Sequence, residues 1–457
     1  MENMKWIVLG IAVVMYALVI VFQDKKVWFT SIAAVAVVIL GFIYPDKIFP
    51  LPEDIVAIDI DFQKRIFALI HSFEDSINWN VLMIYVGSMT IAALFIYSNV
   101  PSKIAGGIVN SSKNTGLAMV LILAMTGIIS IFVENVATVL VMAPIALALC
   151  VKLNMNPTFF MIGLAVMSNL EGTATLVGDP PSMIFASFAG YNFNDFFIHD
   201  GRLSIFFIVQ TGLLIGCVFF YFFFTKAGKN KITVEKENVV SWFPLVLLLA
   251  MIFGLAAVSF IHTRFAFLSG TFVLSLGIIG ALWYKFIQKK TSKETVSMIK
   301  ELDWETIIFL IGIFVVIGAI KDTGLLNMFA NFLSGLTGGS VVKGFFLILA
   351  VSVIISGFVD NVPYIIAMLP VAASMAENLS VTLAKPVNPE LYMFALLVGS
   401  CLGGNLTPFG ASANIVAMGI LKKEGYPMNF NGWLKIGVPF TVLTTASAAF
   451  VLWLLWA

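Results

Sequence analysis

Apolar runs of roughly 18 residues or more, the length that crosses a hydrocarbon core, recur along almost the whole chain. They predict membrane spans near residues 4–22, 27–45, 79–97, 157–187 and 203–225, then 241–261, 265–287, 304–320, 391–420 and 432–456. Two further apolar blocks, 115–151 and 342–377, are each interrupted by an acid and an asparagine. In "IFVENVATVLVMAP" (Ile131–Pro144) the interruption is Glu134-Asn135, and in "GFVDNVPYIIAMLP" (Gly357–Pro370) it is Asp360-Asn361. A proline follows ten residues after the acid in both.

The two halves echo each other elsewhere. "WNVLMIYVG" from Trp79 matches "WETIIFLIG" from Trp304, and "EGTATLVGDPPS" from Glu171 matches "GGNLTPFGASAN" from Gly403. The offsets are 225 at the tryptophans, 226 at the acids and 232 where Gly172 falls on Gly404, so order and spacing are kept. This predicts a duplicated unit: residues 1–225, a linker at 226–240, and residues 241–457. Each unit holds five spans and one broken block. An odd number of crossings starts the second unit on the opposite face, so the repeats are expected to be inverted, as in many secondary transporters.

Composition agrees with a polytopic all-α membrane protein. The chain has 457 residues, of which 60% are hydrophobic and 11% charged, against about 25% charged in soluble domains. A net charge of +1 gives no reason to expect nucleic-acid binding. Cys150, Cys217 and Cys401 lie in or beside apolar segments and read as small hydrophobes, and His71, His199 and His262 form no cluster. Seventeen of the 26 lysines and arginines, Lys25 and Lys26 among them, fall in loops on the face opposite the N-terminus. The positive-inside rule makes that face cytoplasmic, so both termini are expected outside a cell membrane. Each acid-broken block is either a re-entrant hairpin or two full spans, and this parity does not separate them. The arm 136–151 rises only about 24 Å at 1.5 Å per residue, short of a core of about 30 Å, which favours the hairpin.

Carboxylates inside spans are expensive and usually face a cavity where they act. The candidates are Glu134, Glu171, Asp179 and Asp360. The segments after the blocks cannot run as smooth helices. Gly172, Gly178 and Pro180-Pro181 break one, and Gly403, Gly404, Pro408 and Gly410 break the other. Unwound backbone at membrane depth persists where protein or a wet cavity satisfies it, and its carbonyls and amides can then hold an ion or solute. Asn135, Thr173, Thr175, Asn361, Asn405, Thr407, Ser412 and Asn414 add neutral ligands. The expected picture is two hairpin tips meeting two broken helices around a site without a basic group. Such a site suits a proton, Na⁺ or a neutral polar solute better than a dicarboxylate.

The stretches "VENVATVLVMAP", "EGTATLVGDPPS", "FVDNVPYIIAMLP" and "GGNLTPFGASANIVAMG" resemble the ion transporter superfamily. Within it they are most similar to the branch of arsenite permeases, citrate-transporter-like proteins and the P protein. The resemblance runs from about Trp79 to the C-terminus and implies an inverted-repeat elevator transporter, usually a homodimer. It also implies Na⁺ sites at Asn135 with backbone around Gly172–Gly178, and at Asn361 with backbone around Gly404–Gly410. Carboxylate-carrying relatives have Ser-Asn-Thr at the tips, whereas this chain has Glu134-Asn135-Val136 and Asp360-Asn361-Val362. The expected function is therefore an ion-coupled carrier, not an enzyme, without a bound cofactor. It would move an arsenite-type or related small inorganic solute with H⁺ or Na⁺ as coupling ion. A Na⁺/H⁺ antiporter and a cation-coupled citrate- or succinate-type symporter are the alternatives.

Overall fold

The structure is a computed structural model that describes residues 2–22, 25–45, 47–49, 51–52, 55, 61–224, 237–261, 265, 267–322 and 325–457. Most of the expected linker, together with His262, lies outside the described residues. The first half contains α1 (Glu2–Val21), α2 (Lys26–Ile43), α3 (Asp61–Glu74), α4 (Trp79–Tyr97) and α5 (Val100–Ser111). It continues with α6 (Thr115–Ser130), α7 (Asn135–Leu153), α8 (Thr158–Gly172), α9 (Pro180–Ala189) and α10 (Ile205–Phe224). A two-residue antiparallel pair, β1 (Ile198–His199) with β2 (Arg202–Leu203), precedes α10. The second half contains α11 (Phe243–Val258), α12 (Leu268–Phe286), α13 (Ser292–Lys300), α14 (Trp304–Asp322) and α15 (Leu325–Thr337). It ends with α16 (Val341–Ser356), α17 (Asn361–Leu383), α18 (Pro389–Gly403), α19 (Ser412–Lys423) and α20 (Phe430–Trp456).

Helix boundaries fall where the chain offers caps and breakers. Asn78 accepts the Val81 amide at 2.9 Å to start α4, Asn114 accepts Leu117 at 2.8 Å to start α6, and Asn429 accepts Gly432 at 2.8 Å to start α20. The acids at the two block interruptions do the same work. Glu134 caps α7 through the Ala137 amide and Asp360 caps α17 through the Val362 amide. Each expected break separates two helices, α8 from α9 and α18 from α19, with a short 3-10 turn at Gly404–Leu406.

Among the described residues, eight helices are long and apolar enough to cross a membrane, or nine if the bent pair at residues 328–356 counts as one span. Six of the ten expected spans are among the eight, and the other two are the block arms α7 and α17; 157–187 and 391–420 are split, and α1 and α11 contribute only the shorter apolar stretches Met4–Val19 and Phe243–Val258. The α7 helix includes Asn135 and runs on to Leu153, so its 19 residues rise about 28 Å, close to a full span and more than the about 24 Å of the expected arm. Length therefore does not decide re-entrance. Short amphipathic helices that hydropathy alone does not reveal, α3 and α13, bridge the longer ones.

Polarity is turned inside out relative to a soluble protein. Phe222 (71% exposed), Phe253 (69%) and Leu454 (65%) face outward, while Asn169, Glu171, Thr175, Asn405 and Asn414 are fully buried. An apolar exterior with hydrogen-bonded polar groups inside is what a bilayer solvent selects. Close helix pairs use small residues. In the α4–α12 pair, a Cβ on Gly87 would sit 2.6 Å from the Val273 backbone, so only glycine permits that approach. The α2 helix packs on α14 as α4 packs on α12, and the second arms α7 and α17 rest on α4 and α14 respectively. The second halves of the broken helices cross over, α9 against α17 and α19 against α7. This interlocking brings both tips to one place.

Candidate functional site

At the first tip, residues Ile131–Glu134 turn between α6 and α7 and lie against the break after α8. Thr175 Oγ1 donates to the Ile131 carbonyl at 2.5 Å. A Cβ on Gly178 would lie 2.5 Å from the Gly172 carbonyl oxygen and 2.9 Å from those of Ile131 and Ser130. The second tip has the same construction. Thr407 Oγ1 donates to the Gly357 carbonyl, and a Cβ on Gly410 would lie 2.5 Å from Gly404 O, 2.9 Å from Ser356 O and 3.0 Å from Gly357 O. A Cβ on Gly172 would meet the Asn135 side-chain amide, which would have to move to admit it. Gly178 and Gly410 are required for backbone to touch backbone where tip meets break.

Side chains then tie the tips down. Ser130 Oγ donates to Asn135 Oδ1 at 2.8 Å and lies 3.0 Å from Ser168 Oγ, which itself donates to the Asn135 carbonyl at 3.0 Å. Asn135 Nδ2 donates to Asp179 Oδ2 at 3.0 Å. On the other side Ser356 Oγ donates to the Ser400 carbonyl at 2.5 Å. Between the two breaks, Asn169 Nδ2 donates to both Asn405 Oδ1 and Asn414 Oδ1 at 2.8 Å. Asn414 Nδ2 donates to the carbonyls of Gly404 and Thr407 at 2.9 Å each. Because those bonds fix the Asn414 amide, the Asn169 amide cannot flip, and its Oδ1 is left buried without a partner.

A cavity of about 50 Å³ lies where these pieces meet. Its walls include Glu134, Asn135, Asn169, Asp179, Asp360, Asn361 and Ser412, so both tips and both breaks contribute. Tyr85, Asp303, Thr306, Phe309 and Lys26 also line it. It adjoins a cleft of about 560 Å³, with which it shares Glu134 and Asp303 and which α13 flanks through Glu294, Ser297 and Met298. Among the described residues no three His, Cys, Asp or Glu gather closely enough to hold a metal ion. A cation here would draw its ligands from a mixture of carboxylate, amide and backbone oxygens.

Not every candidate faces this cavity. Glu171 points away from it, accepts Gln210 Nε2 at 2.6 Å and keeps its Oε1 without a hydrogen-bond partner. Thr173 is buried beside it, its carbonyl accepting Ser182 Oγ at 3.2 Å, and Asn405 is absorbed in the interbreak network, its carbonyl receiving Trp433 Nε1 at 3.0 Å. The expectation of a base-free site is corrected: Lys26 Nζ lies 2.7 Å from Asp360 Oδ2. The two residues are 334 positions apart, and Lys26 had been placed in a surface loop by its neighbours. Asn169 carries no mark of its role in the sequence: it lies two residues before the matched stretch that begins at Glu171, and its mirrored position is Cys401.

The family profile described as "Citrate transporter" (CitMHS) matches residues 17–399. The chain belongs to the citrate transporter family. It is 32% identical over 398 residues to the uncharacterized transporter Rv2684 of Mycobacterium tuberculosis, covering 84% of this chain and 88% of that protein. It is 26% identical over 403 residues to the uncharacterized transporter slr0753 of Synechocystis, covering 83% and 86% of the two chains. The human P protein is 25% identical over 447 residues, which cover 80% of this chain and 52% of the P protein. Among solved structures, the Alcanivorax borkumensis YdaH transporter superposes with a TM-score of 0.59 at 12% identity over 93% of this chain and 97% of its own. Neisseria gonorrhoeae MtrF gives 0.54 at 14% identity over 93% and 94%. This citrate transporter family member is therefore a multi-pass membrane transporter with the transporter fold of those two proteins, and not an enzyme.

Proposed function

We propose that this chain is a cation-coupled secondary carrier that moves a small inorganic solute, arsenite- or antimonite-like in size, by alternating access. The coupling ion is H⁺ or Na⁺. The observation that carries the reading is the convergence of two like-built tips and two like-built breaks on one small cavity lined by Glu134, Asp179, Asp303 and Asp360. Four carboxylates against one ammonium favour a cation or a neutral solute, and about 50 Å³ has room for one small species. In this reading residues 1–225 and 241–457 are inverted repeats. The hairpins and broken helices move as a body against a frame built from α1, α2, α4, α11, α12 and α14, in a homodimer. The larger cleft lies beside Lys-bearing α13, which the positive-inside rule assigns to the cytoplasm, with both termini outside.

The test uses the full chain in proteoliposomes carrying a pH dye. Arsenite, antimonite, citrate and succinate are offered in turn, with and without pH and Na⁺ gradients. Solute flux that follows one gradient, and loses that dependence in Glu134→Gln, supports the reading. Flux of no solute under either gradient, or unchanged coupling in that variant, refutes it. A Na⁺-dependent pH change with no solute present instead marks a Na⁺/H⁺ antiporter. The second reading, cation-coupled carboxylate symport, is favoured by Lys26, which supplies the base that carboxylate binding needs, and by the family to which the chain belongs. Uptake of labelled citrate or succinate establishes it.

A further inference from the structure

We propose that Lys26 is a tethered cation that fills the second tip, so that the carrier binds one mobile cation fewer than its two acid–asparagine tips would allow. The proposal rests on the cation-coupled reading above and concerns the number of ions in that site.

The two tips are alike in sequence and unlike in surroundings. At the second, Asp360 Oδ1 accepts the Val362 amide at 3.2 Å and Oδ2 holds the Lys26 ammonium at 2.7 Å. Both oxygens are engaged and the charge is balanced. The same ammonium lies 5.1 Å from the centroid of the Phe309 ring, whose face adds attraction for it. At the first tip Glu134 Oε2 accepts the Ala137 amide at 2.9 Å, and no basic side chain among the described residues pairs with Glu134 or with neighbouring Asp179. The repeat that made the acids equivalent did not make their partners equivalent.

Lys26 also reaches the tip from outside its own assembly. The α2 helix packs on α1, α3 and α14, none of which belongs to a hairpin or a break. A mobile cation approaching Asp360 meets an ammonium already in place, and two like charges a few ångströms apart repel strongly where water is scarce. To bind there it must expel Lys26 and leave that charge half-buried and unpaired. Ion binding therefore falls to the group at the first tip, Glu134, Asn135 and Asp179. Removing the ammonium exposes Asp360 as a second site.

The experiment counts ions on the purified full chain in detergent. Bound ²²Na⁺ per chain is measured at saturating Na⁺. Proton uptake in Na⁺-free, weakly buffered medium is measured with a pH dye. Lys26→Ala is expected to take up one more cation per chain than the wild type, as Na⁺ or as H⁺. Lys26→Arg and the double variant Lys26→Ala with Asp360→Asn return the wild-type count. Equal counts of both ions in wild type and Lys26→Ala overturn the proposal. If Lys26→Ala does not fold, Lys26→Gln, which keeps most of the side chain's length and an amide donor for Asp360, is counted in its place; it is expected to take up the same extra cation, and a wild-type count of both ions in it overturns the proposal as well. Failure of the carrier reading itself shows differently, as wild-type vesicles without gradient-driven flux.

Discussion

Replacing Gly178 with alanine places a methyl carbon 2.5 Å from the Gly172 carbonyl oxygen and 2.9 Å from those of Ile131 and Ser130. All three are backbone atoms, so no side chain can swing aside; the tip must back away from the break. Overpacking of this kind costs about 1–3 kcal/mol. If that cost falls on the closed arrangement of tip and break, the open fraction rises about 5- to 150-fold, since 1.4 kcal/mol is about a factor of ten. The readout that needs no knowledge of the solute is amide exchange by mass spectrometry, in the regime where exchange follows the population of the open form. Peptides covering 131–136 and 172–179 are expected to exchange faster by that factor. Gly419→Ala is the control, because nothing lies within 4 Å of a Cβ there. Unchanged exchange at the first tip in Gly178→Ala would show that the close approach of Gly178 to these carbonyls does not hold the tip, and the account of both tips would fall with it.

Asn169→Ala removes the donor shared by Asn405 Oδ1 and Asn414 Oδ1, leaving two buried acceptors unmet at about 1–3 kcal/mol each. Faster exchange in the 405–414 break and at least a tenfold loss of gradient-driven flux are expected; full flux would contradict the network's role. Glu171→Gln is expected to retain flux and ion dependence because Glu171 faces Gln210 and not the cavity, whereas Gln210→Leu lowers the melting temperature by stranding that carboxyl. Loss of coupling in Glu171→Gln would reverse that assignment. The Glu294 carboxyl is lowered from its ordinary 4.5 to about 2, first by the Thr291 backbone amide, then by the Thr291 hydroxyl and by Lys290. Its folded value lies below its unfolded one, so its support for the start of α13 is complete above about 4.5 and is lost as pH falls toward about 2. Protection of residues 294–300, corrected for intrinsic exchange, is expected to hold from pH 7 to 5 and to decline below that; a decline already near pH 6 would refute this.

The sequence by itself determined whatever is written locally. Apolar runs placed the long helices within a few residues of where they lie. Gly172, Gly178, Gly404 and Gly410 with the neighbouring prolines marked both breaks, because missing Cβ atoms and amide hydrogens act on the chain within a turn of themselves. The matched acids Glu134 and Asp360 marked both tips for the same reason, as helix-capping groups. The tertiary structure alone decided which groups meet. The approach of Lys26 to Asp360 depends on α2 packing against α14, and no spacing along the chain encodes it. The facing of Glu171 toward Gln210, away from the cavity that Asn169 of the same helix lines, depends on a rotation of α8 that a run of uniformly buried residues leaves unmarked. Asn169 holds the two breaks together only because α8 and α19 pack against each other. Periodicity and breakers are properties of neighbours along the chain, whereas charge partners are set by helices packing across hundreds of residues.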